Sequence, residues 1–267
     1  MARRRGAAPS LGVDVTRPAP RTVALLAAAD TLEGVDDQLR RVGVRAVRLA
    51  LFQERPRPVA AWTRRLPRRG PPDTVLVTSR RGVACGVVPW QRGRSERTRV
   101  EYWGIGTSTV DALRRAGVRR PRRPARPDSA ALTVALRRPG GRAILYFRSR
   151  EAGTALARSL RKEGHHVTDV VVYYLRRIPH LPRTARRSLD GAELVVATSP
   201  SALSALRSLW GSARFARWAG DRRLIVLGER SRRAALARGF RHVAVVPPST
   251  AQRFTRHLLR ELRDAVG

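Results

Sequence analysis

A chain of 267 residues is long enough for one large domain or two of ordinary size, and its hydrophobic content of 42% is typical of a globular protein. The single cysteine, Cys85, excludes an intramolecular disulfide and a cysteine-rich metal site. The longest apolar runs are far too short to span a bilayer. The near-absence of cysteine is compatible with a reducing cytoplasm, where we expect the protein to be located.

The formal net charge of +35 comes almost entirely from arginine, since Lys162 is the single lysine among 55 basic residues. GC-rich coding produces such an enrichment, and the charges are spread along the chain instead of forming one stripe. We therefore assign most arginines to the general surface, and only a few, at the mouths of loops, to anion binding through paired hydrogen bonds. The positive field would still speed the capture of a polyanionic ligand.

Residues 1–19 are predicted to form a disordered basic tail, because Arg3-Arg4-Arg5 and several prolines accompany a lack of apolar periodicity. Together with the apolar run Val23–Ala29, this tail imitates a secretory signal. That interpretation is rejected because the run is short and far from the start, and because its duplicate at Ile144–Phe147 stands where no signal could be.

From Thr22 onward, short apolar runs alternate with helical patterns, which predicts an α/β fold of parallel strands joined by crossover helices. The predicted strands lie near residues 22–27, 45–51, 73–78, 100–105, 142–147, 167–173, 193–197, 222–227 and 242–246. The predicted helices lie near residues 32–42, 58–66, 80–86, 107–116, 128–137, 151–163, 182–188, 200–210, 229–238 and 249–264. Gly117, Gly164 and Gly239 stand where a glycine would end a helix.

The chain contains nearly the same segment twice, about 120 residues apart. Asp73–Ser79 returns at Glu193–Ser199, and Gly106–Gly117 returns at Gly228–Gly239 with the same spacing between the glycines. The near-constant offset predicts two copies of one α/β unit. A ligand held between two such halves would meet similar loops from both sides.

Hydroxyl-bearing residues follow predicted strands in both copies and open the next helix. They are Thr78-Ser79, Thr107-Ser108-Thr109, Thr198-Ser199 with Ser201, and Ser231. For any one of them, helix capping is a sufficient explanation. Taken together they predict anion-binding turns, because ligands of open α/β sheets bind beyond the carboxyl ends of the strands, where helix N-termini offer free N–H groups. A dinucleotide or P-loop site is excluded, because neither the glycine fingerprint in this context nor a Walker lysine occurs.

Conventional catalytic and metal-binding patterns are missing from the sequence. The five histidines lack metal-ligand spacing, no G-x-S-x-G elbow occurs, and carboxylates are scarce. His165 and His166 are predicted to lie at the surface. Tyr173, at the end of a predicted strand, is the obvious phenol, although taken alone it is better explained as an aromatic residue packed at a strand end.

The order of these motifs resembles the uroporphyrinogen-III synthase family. That family has a strand ending in Thr-Ser, a helix beginning at Gly-x-x-Thr, a strand ending in Val-Tyr, and then a second Ser-Pro-Ser and a second Gly-x-x-Thr. The corresponding positions here, within a match over about residues 22–264, are Thr78-Ser79, Gly106–Thr109, Val172-Tyr173, Ser199–Ser201 and Gly228–Ser231.

The resemblance implies two similar α/β domains, each with a parallel sheet flanked by helices, joined by a two-stranded β-ladder. Domain one would be discontinuous and comprise residues 20–52 plus 178–267, and domain two would span residues 53–177. The ladder would be formed by the ends of strands near 48–54 and 172–178. Periodicity alone would have divided the chain near residue 140.

The resemblance also implies a lyase that closes hydroxymethylbilane, a linear tetrapyrrole polycarboxylate, to a macrocycle with inversion of the last ring and loss of water, without a metal or organic cofactor. The family's candidate acid corresponds to Tyr173. The substrate carboxylates would be held by Ser79, Arg81, Thr109, Arg148, Arg150, Ser199, Ser201 and Ser231. We expect a monomer that binds nucleic acid only non-specifically.

The chain departs from the family pattern at three places. The first family strand usually ends in Thr-Arg-Pro, where this chain has Ala27–Ala29, which removes an expected arginine. The family's Arg-Gly after the fifth strand is Arg148-Ser149 here, and Ser231 replaces a threonine.

Two alternatives stay open at the level of sequence. A non-catalytic relative on the same scaffold would bind nucleic acid or another polyanion with a steep salt dependence, although no recognition helix or stacking pattern of tryptophan with arginine supports it. A periplasmic-type small-ligand binder would need an export signal, which the tail does not provide.

Overall fold

The structure is a computed structural model that describes residues 21–27, 31–66, 70–93, 100–247 and 249–264. The tail predicted for residues 1–19 lies outside these ranges, as do Ala28, Ala29 and Pro248. The chain forms two compact units. Unit one comprises the segments before Phe52 and after Arg177, and unit two is Phe52–Arg177.

The described residues form ten strands and twelve α-helices. The strands are β1 (Thr22–Leu26), β2 (Arg45–Arg48), β3 (Phe52–Pro56), β4 (Thr74–Val77), β5 (Glu101–Gly104), β6 (Ala143–Ser149), β7 (His166–Arg177), β8 (Leu194–Ala197), β9 (Arg223–Val226) and β10 (His242–Val245). The helices are α1 (Val35–Arg41), α2 (Val59–Thr63), α3 (Arg80–Gly82), α4 (Val88–Arg92), α5 (Thr107–Arg115), α6 (Ser129–Leu136), α7 (Ala155–Lys162), α8 (Arg183–Asp190), α9 (Pro200–Trp210), α10 (Ser212–Gly220), α11 (Glu229–Leu236) and α12 (Ala251–Arg263). A π-helical turn (Val83–Val87) joins α3 to α4.

Unit one is built on a five-stranded sheet in the order β10-β9-β8-β1-β2, with parallel pairing throughout. The three inner strands, β9, β8 and β1, are short, apolar and almost completely buried, as expected of parallel strands covered on both faces. The core beside β1 and β8 includes Leu39 of α1 and Phe254 and Leu258 of α12, all completely buried.

Unit two is built on a five-stranded sheet in the order β3-β7-β6-β4-β5. The four strands from β7 to β5 are parallel, and β3 pairs with β7 in the antiparallel direction. One face of this sheet packs against Trp62, Val87 and Leu113, and the other against Leu132 and Leu160.

The two sheets repeat one arrangement of four strands. The order β9-β8-β1-β2 in unit one corresponds to β5-β4-β6-β7 in unit two, strand for strand at the sequence offset of the duplication. The predicted α/β class, with two parallel-rich sheets flanked by helices, is confirmed. The ladder expected from the resemblance is formed by β3 and the last residues of β7, from Phe52 opposite Arg177 to Pro56 opposite Tyr173.

The helix-ending glycines behave as predicted. Gly117, Gly164 and Gly239 have φ of +86°, +84° and +95°, in the left-handed region that residues with a Cβ avoid.

Three elements are not marked by local sequence patterns, although the resemblance places part of β3 in the ladder. The helix α4 continues beyond the helix predicted near residues 80–86. The strand β3 carries Gln53, Glu54 and Arg55, so its composition is that of a loop, but as an exposed edge strand it can carry charges on its open side. The helix α10 starts directly after Gly211, whose φ of +86° ends α9. Its Phe215 and Trp218 pack against Trp210 and Phe240, and this burial outweighs the stop signal.

The prediction of a surface location for His165 is wrong. Its side chain is 3% exposed, and neither ring nitrogen has a hydrogen-bond partner. The chain leaves α7 through Gly164 and turns His165 inward beside the start of β7, whereas His166 stays exposed, as predicted. Within the described ranges, no helix is long and apolar enough to cross a membrane.

Candidate active site

Four positions of unit two lie at one edge of its sheet, and all but Ser149 were predicted from the sequence. Because β4, β5, β6 and β7 are parallel, their carboxyl ends share that edge. Ser79 follows β4, Gly106 follows β5, and Ser149 ends β6. A register shift after Arg148 brings Ser149 opposite Tyr173 of β7. The strand β7 extends four residues beyond Tyr173, so this tyrosine lies inside the strand and not at its end.

Tyr173 is the phenol that contacts Ser79 at this edge. Its side chain is 8% exposed, and its hydroxyl lies 3.1 Å from the Oγ of Ser79. Ser79 is the N-cap of α3, where its Oγ accepts the Gly82 N–H at 3.0 Å. The cap fixes the serine rotamer, and the serine in turn fixes the phenol.

The surroundings of Tyr173 raise its pKa above the ordinary value. Burial is the largest cause, and the hydrogen bonds from Ser79 and Ser149 act in the opposite direction. The negative charges of Glu54 and Glu151 add to the effect of burial. The phenol therefore carries its proton at neutral pH and is able to donate it.

Arg81 and Arg150 are the two predicted arginines with exposed guanidinium groups. Arg81 forms an ion pair with Glu54 of β3 and is 46% exposed at its side chain. Arg150 lies over the ring of Tyr174, 4.6 Å from its centroid, and contacts Glu151 at 3.6 Å. Both side chains are able to reach an anionic ligand.

Arg148 has a different setting. Its side chain is 9% exposed, and its Nε and Nη2 donate to Asp169 at 2.9 and 2.6 Å, while Nη1 donates to the Ser149 carbonyl at 3.1 Å. Partial burial acts to raise the pKa of Asp169, but Arg148 and Arg161 together hold it below its usual value. All three nitrogens of Arg148 are thus used within the protein, at the register shift beside Ser149.

Thr109 and Ser231 occupy equivalent positions in the two copies, and both are buried, at 3% and 7% exposure. Each is the third residue of its helix, and each lies one turn before a buried residue, Leu113 or Ala235. That spacing is the signal that places them on the packed face. In α5 the exposed hydroxyls are instead those of Thr107 and Ser108.

Unit one presents a smaller group of hydroxyls after β8. Ser199 is the N-cap of α9 and accepts the Ala202 N–H at 3.3 Å, and its Oγ lies 2.9 Å from the Oγ of the exposed Ser201. The eleven-residue helix α9 directs its positive end toward this pair. At the end of β1, Ala27 is 4% exposed and provides no polar group.

Sequence reasoning missed three residues of the unit-two edge. Ser149, noted only as a departure from the family pattern, hydrogen-bonds to Tyr173. Glu54 lies on β3, which no local sequence pattern marks, and holds Arg81. Tyr146 of β6 is 2% exposed, and its hydroxyl lies 3.4 Å from the Oγ1 of Thr78, so the adjacent Thr78 and Ser79 each contact one buried tyrosine. Among the residues that the structure describes, no group of three or more His, Cys, Asp or Glu side chains is arranged to hold a metal ion.

Comparisons with known proteins identify a family and a shared fold. A family model described as uroporphyrinogen-III synthase HemD matches residues 34–256. A mutant uroporphyrinogen III synthase from the extremely thermophilic bacterium Thermus thermophilus is similar in structure, with a TM-score of 0.59 at 15% identity over 90% of this chain and 99% of that one. Uroporphyrinogen-III synthetase from Helicobacter pylori gives 0.58 at 15% identity over 91% and 99%. No curated protein sequence matches the chain. At these identities the solved structures establish a shared fold.

Proposed function

Because the chain belongs to the uroporphyrinogen-III synthase family, we propose that it closes hydroxymethylbilane to the type III macrocycle with Tyr173 as the proton donor. The observation that carries this role is the buried phenol held 3.1 Å from Ser79 at the carboxyl edge of the unit-two sheet. It combines a transferable proton with a fixed position, which general acid catalysis requires.

Cyclisation begins when the terminal hydroxyl of the bilane leaves. The Tyr173 phenol donates its proton to that oxygen as the carbon–oxygen bond breaks, so that water departs and an azafulvene-type cation remains. The hydroxyls of Ser79 and Ser149 donate to the phenolate that forms. The substituted carbon of the last ring attacks this cation and forms a new carbon–carbon bond. The older bond from that carbon to its bridge then breaks, which leaves the bridge as a second azafulvene-type cation, and the free carbon on the other side of the last ring bonds to it, so that the ring is inverted. Loss of the proton from that carbon restores the aromatic ring and returns a proton to the phenolate.

The carboxylates of the bilane require cations and N–H or O–H donors. In unit two we assign Arg81, Arg150, Ser79 and the exposed start of α5 to this role, and in unit one the Ser199–Ser201 pair. The remaining predicted residues, Arg148, Thr109 and Ser231, are buried and stabilise the elements that carry the site. Arg148 stabilises the register shift that presents Ser149, and the buried Thr109 and Ser231 pack the starts of α5 and α11. Holding the bilane in one conformation lowers the barrier by aligning the last ring.

We extend the proposal to a monomeric enzyme located in the cytoplasm, with only non-specific affinity for nucleic acid. The single cysteine is compatible with a reducing cytoplasm, and the spread of arginine along the chain supports the non-specific affinity. Sedimentation of the purified protein tests the monomer, since a dimer would give twice the mass.

The isomer of the product tests the function directly. Hydroxymethylbilane closes spontaneously to the type I isomer, whereas an active protein yields the type III isomer. Chromatography of the oxidised products distinguishes the two. Formation of type I alone, at the rate seen without protein, contradicts the proposal.

Tyr173→Phe tests the proton donor. We expect kcat to fall by about 10²-fold or more with KM little changed, because a positioned acid contributes on that order. Tyr146→Phe is the matched control, since it removes a buried phenol that contacts Thr78 instead of Ser79, and we expect it to keep the wild-type kcat. Equal kcat in wild type and Tyr173→Phe would reduce Tyr173 to a packing residue.

A further inference from the structure

Glu54 stands beside the proposed acid although nothing in the reaction requires a second carboxylate there. In the antiparallel ladder Glu54 lies opposite Leu175, and Pro56 lies opposite Tyr173. Because side chains two residues apart in a strand share a face, Glu54 and Pro56 point to the same side of the sheet as Tyr173 and Leu175. Tyr173 and Leu175 both contribute to the core on that side.

The Glu54 carboxylate is committed to one guanidinium. Oε2 of Glu54 accepts from both Nε and Nη2 of Arg81. The Glu54 side chain is only 23% exposed, whereas Arg81 is 46% exposed. The carboxylate is therefore partly enclosed by the protein, and the guanidinium extends from it toward solvent.

The geometry leaves the outer edge of Arg81 available. A guanidinium has five N–H donors in a planar fork, and Glu54 uses only the edge formed by Nε and Nη2. Within the described part of the chain, Nη1 donates to no protein atom. An arginine held along one edge presents the other edge, formed by Nη1 and Nη2, in a fixed direction.

We propose that Glu54 is a positioning residue that holds Arg81 beside Tyr173, so that the outer guanidinium edge binds a carboxylate of the bilane. This inference rests on the proposed function and adds to it a residue that acts through Arg81 and not on the reacting atoms. Arg81 is separated from Ser79 by a single residue, and Ser79 contacts the Tyr173 hydroxyl. A carboxylate bound by Arg81 would therefore lie near the proton donor.

Removal of Glu54 has two opposing effects on substrate binding. It frees the long Arg81 side chain, and the entropy lost when this side chain becomes ordered on the substrate weakens binding. It also removes a negative charge, which favours an anionic substrate, but this effect is screened because Arg81 is half exposed. We expect the first effect to dominate, most clearly at an ionic strength of about 0.3 M, where exposed charges interact weakly.

A double-mutant cycle tests the proposal. We expect Glu54→Ala to raise KM by about three- to tenfold with little change in kcat, on the scale of the lost side-chain ordering. Arg81→Ala should raise KM at least as much, and Glu54→Ala with Arg81→Ala should match Arg81→Ala alone, because Glu54 has nothing left to position. Glu163→Ala is the control, since it breaks a comparable exposed pair with Arg137 at the start of β7, away from the carboxyl edge, and should leave KM unchanged.

The outcomes separate this inference from the function it rests on. A wild-type protein that makes the type III isomer, together with an unchanged KM in Glu54→Ala, overturns the positioning role and leaves the function intact. Additive effects in the double variant overturn it as well, because they show that Glu54 acts independently of Arg81. A wild-type protein that makes only the type I isomer overturns both.

Discussion

At the residue scale, His165 links the stability of unit two to pH. Burial is the main cause that lowers its pKa below the ordinary value of 6.5, the positive charge of Arg142 adds to this effect, and Glu163 opposes it. The unfolded chain therefore binds a proton at a higher pH than the folded chain does. Stability contributed by the neutral imidazole is complete above about pH 6.5 and is lost as the pH falls below that value.

We expect the free energy of unfolding to decrease from about pH 7.5 to about pH 5.5, and His165→Leu to make this decrease shallower. One proton contributes at most about 1.4 kcal/mol per pH unit, so the difference between the variants should approach about 1 kcal/mol over the window. Urea denaturation at several pH values measures it. The exposed neighbour gives the control, since His166→Gln should keep the wild-type slope. Parallel slopes for wild type and His165→Leu would show that the buried imidazole does not titrate in this range.

The residues of the site illustrate what sequence patterns specify. Ser79 and Ser199 could be predicted as caps because a hydroxyl follows an apolar run and precedes a helix. The burial of Thr109 is indicated by the apolar Leu113 one turn later and not by its Gly-x-x-Thr motif, whereas the burial of Arg148 has no such signal, because it depends on which face the strand presents to the core. Glu54 carried no signal at all, since its partner Arg81 is 27 residues away and its strand reads as a loop.

At the scale of elements, the π-helical turn between α3 and α4 depends on a glycine. A Cβ placed on Gly86 would lie 2.6 Å from Cγ of Phe147, closer than real Cβ atoms approach. The π-helical turn therefore lies directly on β6. Phe147 is completely buried between Trp62 and Trp90 and has no room to retreat.

We expect Gly86→Ala to destabilise the protein by about 1–3 kcal/mol, the usual cost of overpacking a core. Thermal denaturation measures the loss. Gly93→Ala is the matched control at the end of the same helix, because its Cβ would meet only ordinary contacts at 3.8 Å and its φ of −84° suits alanine. A Gly86→Ala protein as stable as Gly93→Ala would mean that Phe147 can move aside.

The elements themselves were largely predictable, and the exceptions have physical causes. Buried parallel strands such as β4 and β8 are short apolar runs, so the sequence marks them clearly. The edge strand β3 is held by backbone hydrogen bonds to β7 and needs no apolar pattern. The helix α10 is held by aromatic packing against residues from α9 and from the segment before β10, which no local window contains.

At the scale of the whole molecule, the duplication is visible in the sequence. The sequence does not show that each sheet combines strands from both copies. Periodicity divides the chain near residue 140, whereas β1 and β2 lie in one sheet with β8, and β6 and β7 lie in one sheet with β4. A repeat shows which segments are alike, and it leaves open which copy each segment pairs with. The resemblance to the family supplied that information.

The net charge of +35 leads to a prediction about rate that belongs to the molecule as a whole. A strongly positive body attracts a polycarboxylate before contact, and salt screens this attraction over about 10 Å at about 0.1 M. We expect kcat/KM to fall by about tenfold or more between about 0.02 and 0.3 M KCl, while kcat stays nearly constant because bound substrate is already in place. Steady-state rates at fixed pH measure both constants.

The same positive field should attract nucleic acid without selectivity for base sequence. Affinity for DNA or RNA should decrease steeply with salt, because each phosphate contact releases a counterion, and it should not depend on base sequence. DNA added at low salt should then raise KM for the bilane, and at about 0.3 M KCl it should have no effect. A preference for one base sequence that persists at high salt would instead indicate contacts to the bases. In the kinetic experiment, a kcat/KM that does not change with salt would show that the arginines act only where they touch the substrate.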